Sequence, residues 1–242
     1  MADPHLWGKN AVKFSGRHWC MNDSEWNSHV WGCDWEVSRE TGDLMNRMII
    51  DQVNSKVGDD DDLYLLGDVV FAGSGNQAKR RTQQFLASLR CKRHHLIAGN
   101  HDGPLDILGV CDDPTLPQNR ESYFDYIVPL YTSFKQACMV YCESGIQIWC
   151  SHYPHLTWPR ATQTGQPKSA KPHKVQSIHA YGHVHEKYNN ERPVLYPERW
   201  AAVNVGVDAL NPPYSYPYSE IELWKLTERH RKETIRFISQ QS

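Results

Sequence analysis

Apolar residues fall into short runs bounded by turn residues and into longer stretches with helical spacing. The runs predict buried strands at Leu63 to Leu66, His95 to Ala98, Tyr126 to Pro129, Ala137 to Tyr141, Ile146 to Cys150, Ile178 to Tyr181 and Ala201 to Val205. Helical spacing appears from Ser38 to Val53, where Leu44, Met48 and Ile49 share a stripe, and from Gln77 to Leu89, where Phe85, Leu86 and Leu89 do. Helices alternating with strands imply a mixed α/β protein. The proline-rich stretches at 154–172 and 212–217 read as surface loops, and no linker, repeat or low-complexity tract divides the chain, so residues 1–242 are expected to form one domain.

Composition narrows the classes. With 40% hydrophobic and 22% charged residues the chain can bury a large core, which excludes disorder. A formal charge of -2 provides no global basic field, so an anionic partner must be captured locally; nucleic acid is not favoured and a membrane surface is not expected. Seven scattered cysteines form a poor disulfide framework, and Met1 is followed by Asp3 and His5 rather than by an apolar leader. The expectation is a cytoplasmic protein of undetermined oligomeric state. Thirteen histidines in 242 residues direct attention to metal.

Five short clusters combine carboxylate, imidazole and amide with glycine, each close to a predicted strand end: Asp3-Pro4-His5, Gly67-Asp68, Gly99-Asn100-His101-Asp102, Ser151-His152 and Gly182-His183-Val184-His185. Borderline divalent metals take imidazole nitrogen and carboxylate oxygen, and two neighbouring ions need a carboxylate that can bridge them. Asp68 is the natural bridge, with Gly67 removing side-chain bulk where backbone must approach. His183 and His185 lie two apart after a strand, so extended backbone would point them to opposite faces, and a turn at Gly182 is required to reorient them.

In this order the clusters resemble the pattern D-x-H, G-D, G-N-H-[DE], H, G-H-x-H of the calcineurin-like metallophosphoesterase superfamily, across nearly the whole chain. The resemblance is greatest to its small bacterial and phage branch, on Gly8-Lys9-Asn10 after D-x-H and on a terminal N-V-G-x-D segment, here Asn204-Val205-Gly206-Val207-Asp208. It implies a four-layer sandwich of two mixed β-sheets flanked by helices, with a dinuclear metal site at strand C-termini. It implies that Asp3, His5 and His185 hold one divalent ion, that Asn100, His152 and His183 hold the other, and that Asp68 holds both. Manganese is expected ahead of iron, zinc or nickel. The implied activity is hydrolysis of a phosphate mono- or diester, on a small molecule or nucleotide, by a water activated between the metals. His101 would stand beside the leaving group, and Asp102 would orient His101 or support the loop. Two other readings share the fold: a non-catalytic metal-binding interaction module, favoured if Asp3 and His5 are loose, and a nuclease or cyclic-nucleotide phosphodiesterase.

The sequence departs from the family in one respect. D-x-H normally ends a buried strand, and here only Met1 and Ala2 precede it. Thr234 to Ser239 alternates apolar and polar residues and offers a candidate strand for the vacant position, against the reading of an amphipathic helix from Thr227. Arg160, Lys168, Lys171 and Lys174 form either a substrate clamp or a solvated loop. Asp59 to Asp62 reads as a turn before a strand. In the segment from His18 to Trp35, Trp packing over a cleft rim is preferred to a zinc knuckle through Cys20 and Cys33.

Overall fold

A computed structural model of the chain describes residues 1–32, 34–71, 76–102, 127–161, 177–185, 201–209 and 217–241, the side chains of 234, 235, 237, 238 and 241 excepted. Helices α1 (Asn10–Phe14), α2 (Asp23–Val30) and α3 (Arg39–Lys56) precede β1 (Asp62–Leu66), α4 (Asn76–Ser88), β2 (Arg93–Ile97), β3 (Ser133–Lys135), β4 (Ala137–Tyr141), β5 (Gln147–Ser151), β6 (Ser177–Tyr181), β7 (Ala202–Asn204) and α5 (Glu220–Gln241). The fold is mixed α/β with two sheets. One is β1-β2-β3, parallel throughout its described strands rather than mixed as expected; the other, β4-β5-β6-β7, is mixed because β4 runs antiparallel to β5. No described helix is long and apolar enough to cross a membrane, and the five described cysteines that are identified as thiols (Cys20, Cys91, Cys138, Cys142 and Cys150) form no disulfide.

Strand alternation explains how β1 and β2 serve two cores. Leu63, Leu65 and Leu96 point to one side, against Met45, Ile49 and Val53 of α3 and Phe85 of α4. Leu66 and Ile97 point to the other, against Ile148 of β5, Ile178 of β6 and Val203 of β7. A parallel sheet covered on both faces carries near-continuous apolar residues, which is why these strands were visible as runs. Helix α3 starts at Ser38, whose Oγ accepts the Thr41 N–H. Its buried stripe is Thr41, Met45, Ile49 and Val53, so Met45 takes the core place expected of Leu44, which is exposed. The i, i+4 row sets that stripe, and Leu44 lies one residue's rotation away from it.

One expected strand and one candidate strand are absent from the described residues. Val128–Leu130 forms a 3-10 turn containing Pro129, which has no N–H to give to a ladder, and the strand begins instead at Ser133; Tyr126 lies outside the described residues. Thr234 to Ser239 is not a central strand but part of α5. Ser219 and Glu222 cap that helix reciprocally, no Gly or Pro interrupts it, and Leu223, Thr227 and His230 are buried at helical spacing. The helical pattern of the preceding fourteen residues overrides two steps of alternation.

Met1 to Asp3 pair with both sheets. Leu66 donates to the Met1 carbonyl at 2.8 Å and Asp3 donates to the Gly67 carbonyl at 3.1 Å; on the opposite edge Ala2 donates to Val205 at 3.0 Å and accepts from Val207 at 3.0 Å. A segment of three residues thus pairs with the ends of both sheets, and Ala2 and Asp3 are fully buried.

Candidate metal centre

Every motif residue that follows a strand leaves it at the C-terminal end: Gly67-Asp68 after β1, Gly99-Asn100 after β2, His152 after β5 and Gly182-His183 after β6. The backbone then reverses sharply. Asp3, His5, Asp68, His183 and His185 all have left-handed φ, at 55°, 47°, 54°, 71° and 47°. For residues with a Cβ this conformation costs on the order of 1 kcal/mol each, and it persists only where the surroundings over-determine it. The reorientation expected at Gly182 therefore occurs at His183 and His185. Gly182 instead makes room for a carboxylate, because a Cβ there would lie 2.5 Å from Asp3 Oδ2. Gly67 is likewise required, since a Cβ would meet His152 Nδ1 at 2.5 Å.

The reversals bring the predicted residues together. Single ligand atoms of Asp3, His5 and His185 lie within 4.8 Å of one another, and so do those of Asp3, Asp68 and His152. Asp68 Oδ2 stands 3.7 Å from His5 Nε2 and 3.5 Å from His152 Nε2, between the two sets, while its Oδ1 accepts the His101 N–H at 2.7 Å. His5 stacks on His185 with centroids 5.2 Å apart. Asn100 Oδ1 lies 3.0 Å from His152 Nε2 and 2.9 Å from His183 Nδ1, which gathers the second set, and His152 Nδ1 is fixed 2.8 Å from the Leu66 carbonyl.

Burial dominates the electrostatics of the pocket. Burial raises the Asp3 carboxyl to about 7, and its Oδ1 is buried with no hydrogen-bond partner. Burial, followed by the charges of Arg17, His185 and His101, lowers His5 to about 3. Burial raises Asp68 and lowers His152 and His183. A buried carboxylate oxygen that accepts no hydrogen bond, with imidazole nitrogens of His5, His152 and His185 close by, is a donor set that could hold a divalent cation.

Asp102 answers one of the two roles expected of it. Its Oδ2 accepts from Asp68 N at 2.7 Å and Gly99 N at 2.9 Å, and its Oδ1 from Val69 N at 2.8 Å. It ties the β1 and β2 loops together rather than orienting His101. Burial, then the Asp68 charge, raises it to about 6 despite those three N–H groups.

Sequence reasoning missed Arg17. Buried beneath the first set, its guanidinium donates to the carbonyls of Asp3 and Pro4 at 2.8 Å each, and to Asp208 Oδ1 and Oδ2 at 2.8 and 3.0 Å. Asp208 Oδ2 in turn lies 2.6 Å from His185 Nδ1. Burial alone would depress His185, but the hydrogen bond and charge of Asp208 raise it. Asn204 Nδ2 donates to the His185 carbonyl. The N-V-G-x-D segment signalled Asp208; no local pattern around Arg17 distinguishes it from a surface arginine.

The remaining expectations divide. Gly58 N donates to Asp61 Oδ2 in the turn before β1, as the acidic run implied. Cys20 is buried with its Sγ on the Arg17 carbonyl and its thiol raised to about 12 by burial, a core residue rather than a zinc ligand; Cys33 lies outside the described residues. Trp19 and Trp35 pack on the first core, with Lys13 over the Trp35 ring, whereas Trp31 is exposed. Lys168, Lys171 and Lys174 lie outside the described residues, and Arg160 is exposed.

No protein-family model and no curated protein matches the chain. Among solved structures it is similar to AQ665 from Aquifex aeolicus, a protein of unknown function, with a TM-score of 0.51 and 17% sequence identity over 93% of this chain and 96% of that one. At this identity the likeness concerns the fold.

Proposed function

We propose that the chain is a calcineurin-like metallophosphoesterase, a hydrolase of phosphate esters with two divalent ions at the convergence of its strand ends and its sheets packed as a four-layer sandwich. The observation that carries this reading is the clustering of Asp3, His5, Asp68, His152 and His185, drawn from four distant parts of the chain, around the unpartnered oxygen Asp3 Oδ1. Asp3, His5 and His185 would hold one ion, Asn100, His152 and His183 the other, and Asp68 both. Manganese suits this oxygen and nitrogen set, as do iron, zinc and nickel.

When bound, such a pair supplies a water acidified towards neutral pH and positive charge opposite the phosphoryl oxygens. The chain's own residues do the rest. Asp102 holds the loops carrying Asp68 and Asn100 in mutual register. The Asp68 carboxylate fixes the His101 backbone, leaving the exposed imidazole at the rim, where it donates a proton to the departing alkoxide. A non-catalytic interaction module is the better reading if Asp3 and His5 are loose; their burial, at 0% and 8% exposure, favours the enzyme.

The test separates catalysis from metal holding. His101→Ala is expected to lower turnover of an aryl phosphodiester by about 100-fold while leaving metal content unchanged. Undiminished turnover, or metal lost in proportion to activity, contradicts the assigned role.

A further inference from the structure

A large aromatic side chain stands half exposed at the rim of the polar pocket. Phe71 is 49% exposed, yet its ring centroid lies 5.3 Å from the His101 ring and 6.2 Å from the His5 ring. The fold holds it there: its N–H donates to the Leu6 carbonyl at 2.8 Å, beside the parallel bridge between Leu6 and Val70. Gly8 makes room, since a Cβ at that position would meet Phe71 Cβ at 2.8 Å. The ring meets His101 at 65° and His5 at 59°, tilted contacts that hold it in place while about half of it stays open to solvent. Tyr153, also half exposed, borders the other set, 4.8 Å from His183 and 4.9 Å from His152.

We propose that Phe71 is a specificity-determining residue that stacks on the leaving group, so that the substrates are phosphodiesters whose departing alcohol carries a planar aromatic ring. The inference rests on the phosphoesterase reading, in which His101 faces the departing oxygen; a ring attached to that oxygen then comes within reach of the Phe71 face. Stacking of a flat ring on an aromatic side chain is tolerant of ring substituents, so Phe71 selects for planarity and leaves finer choice to other groups.

The experiment compares two leaving groups of similar acidity and different shape. Methyl phenyl phosphate and methyl hexafluoroisopropyl phosphate are hydrolysed by the manganese-loaded full chain, and the ratio of their kcat/KM values is recorded. Wild-type protein should prefer the phenyl ester by about tenfold, Phe71→Ala should abolish most of that preference through the phenyl KM, and Phe71→Trp should restore it. Tyr153→Ala should retain the preference. If Phe71 merely steadies His101, Phe71→Ala slows both esters and leaves the ratio unchanged, which overturns the inference. Equal hydrolysis of both esters by wild-type protein overturns it alone; hydrolysis of neither overturns it together with the phosphoesterase reading.

Discussion

The two proposed ligand sets are fastened by different means. The second, Asn100, His152 and His183, rests on the regular ends of β2, β5 and β6, with His152 seated on the Leu66 carbonyl and Asn100 spanning both imidazoles. The first, Asp3, His5 and His185, is tied to both sheets by the backbone pairing of Met1 to Asp3. It is braced further by a buried ion pair, Arg17 with Asp208, that reaches from the carbonyls of Asp3 and Pro4 across to the His185 imidazole. Backbone hydrogen bonds position both sets, and the first leans in addition on two side chains 191 residues apart.

Asp68, whose Oδ2 stands between His5 and His152, is proposed to serve both sets, and its replacement has the largest expected effect. Asp68→Asn should lower metal content at both positions and reduce turnover by more than about 1000-fold, measured by elemental analysis and steady-state kinetics. Arg17→Met should act on one side only. Asp208 would be left charged and buried without its partner, which costs about 3 to 5 kcal/mol in chemical denaturation, and one of two metal equivalents should be lost. Equal loss from both sets would break the comparison. Asn100→Ala is the converse and milder, weakening the second equivalent by about 10- to 100-fold in metal titration with little change in stability.

The smallest effect concerns pH in chelated protein. Asp3 is raised from 3.8 to about 7, so its contribution favours folding fully below pH 4 and is lost as pH rises through 7. His5 is lowered from 6.5 to about 3, so its contribution is present above pH 6.5 and lost as pH falls through 3. The two slopes oppose each other between about pH 4 and 6.5. Asp3→Asn removes the first, and should raise the melting temperature of the metal-free protein at pH 8 by a few degrees, with no gain at pH 4. An unchanged melting temperature at pH 8 would mean that Asp3 is not held as an unwelcome charge.

Much of the candidate site was legible in the sequence because each motif is local: a glycine, then a polar residue, directly after an apolar run. Placement of β1, β2 and β4 to β7 was legible for the same reason. What was not legible depended on distance. The Arg17 to Asp208 pair has no periodicity, the pairing of Met1 to Asp3 with both sheets needs partners about 60 and 200 residues away, and the rim position of Phe71 follows from the fold of the Leu6 to Gly8 turn. At Thr234 to Ser239 the helix wins because the long helical stretch leading into it outweighs a short alternation, and Leu44 misled because one residue of helical phase separates a core position from solvent.

The most direct test of the dinuclear account is the metal stoichiometry of the purified 242-residue chain after reconstitution with manganese and removal of free ion. The account predicts two equivalents per chain, falling to one in Arg17→Met and to none in Asp68→Asn. Fewer than two in the wild-type protein, or two retained in Asp68→Asn, would contradict it.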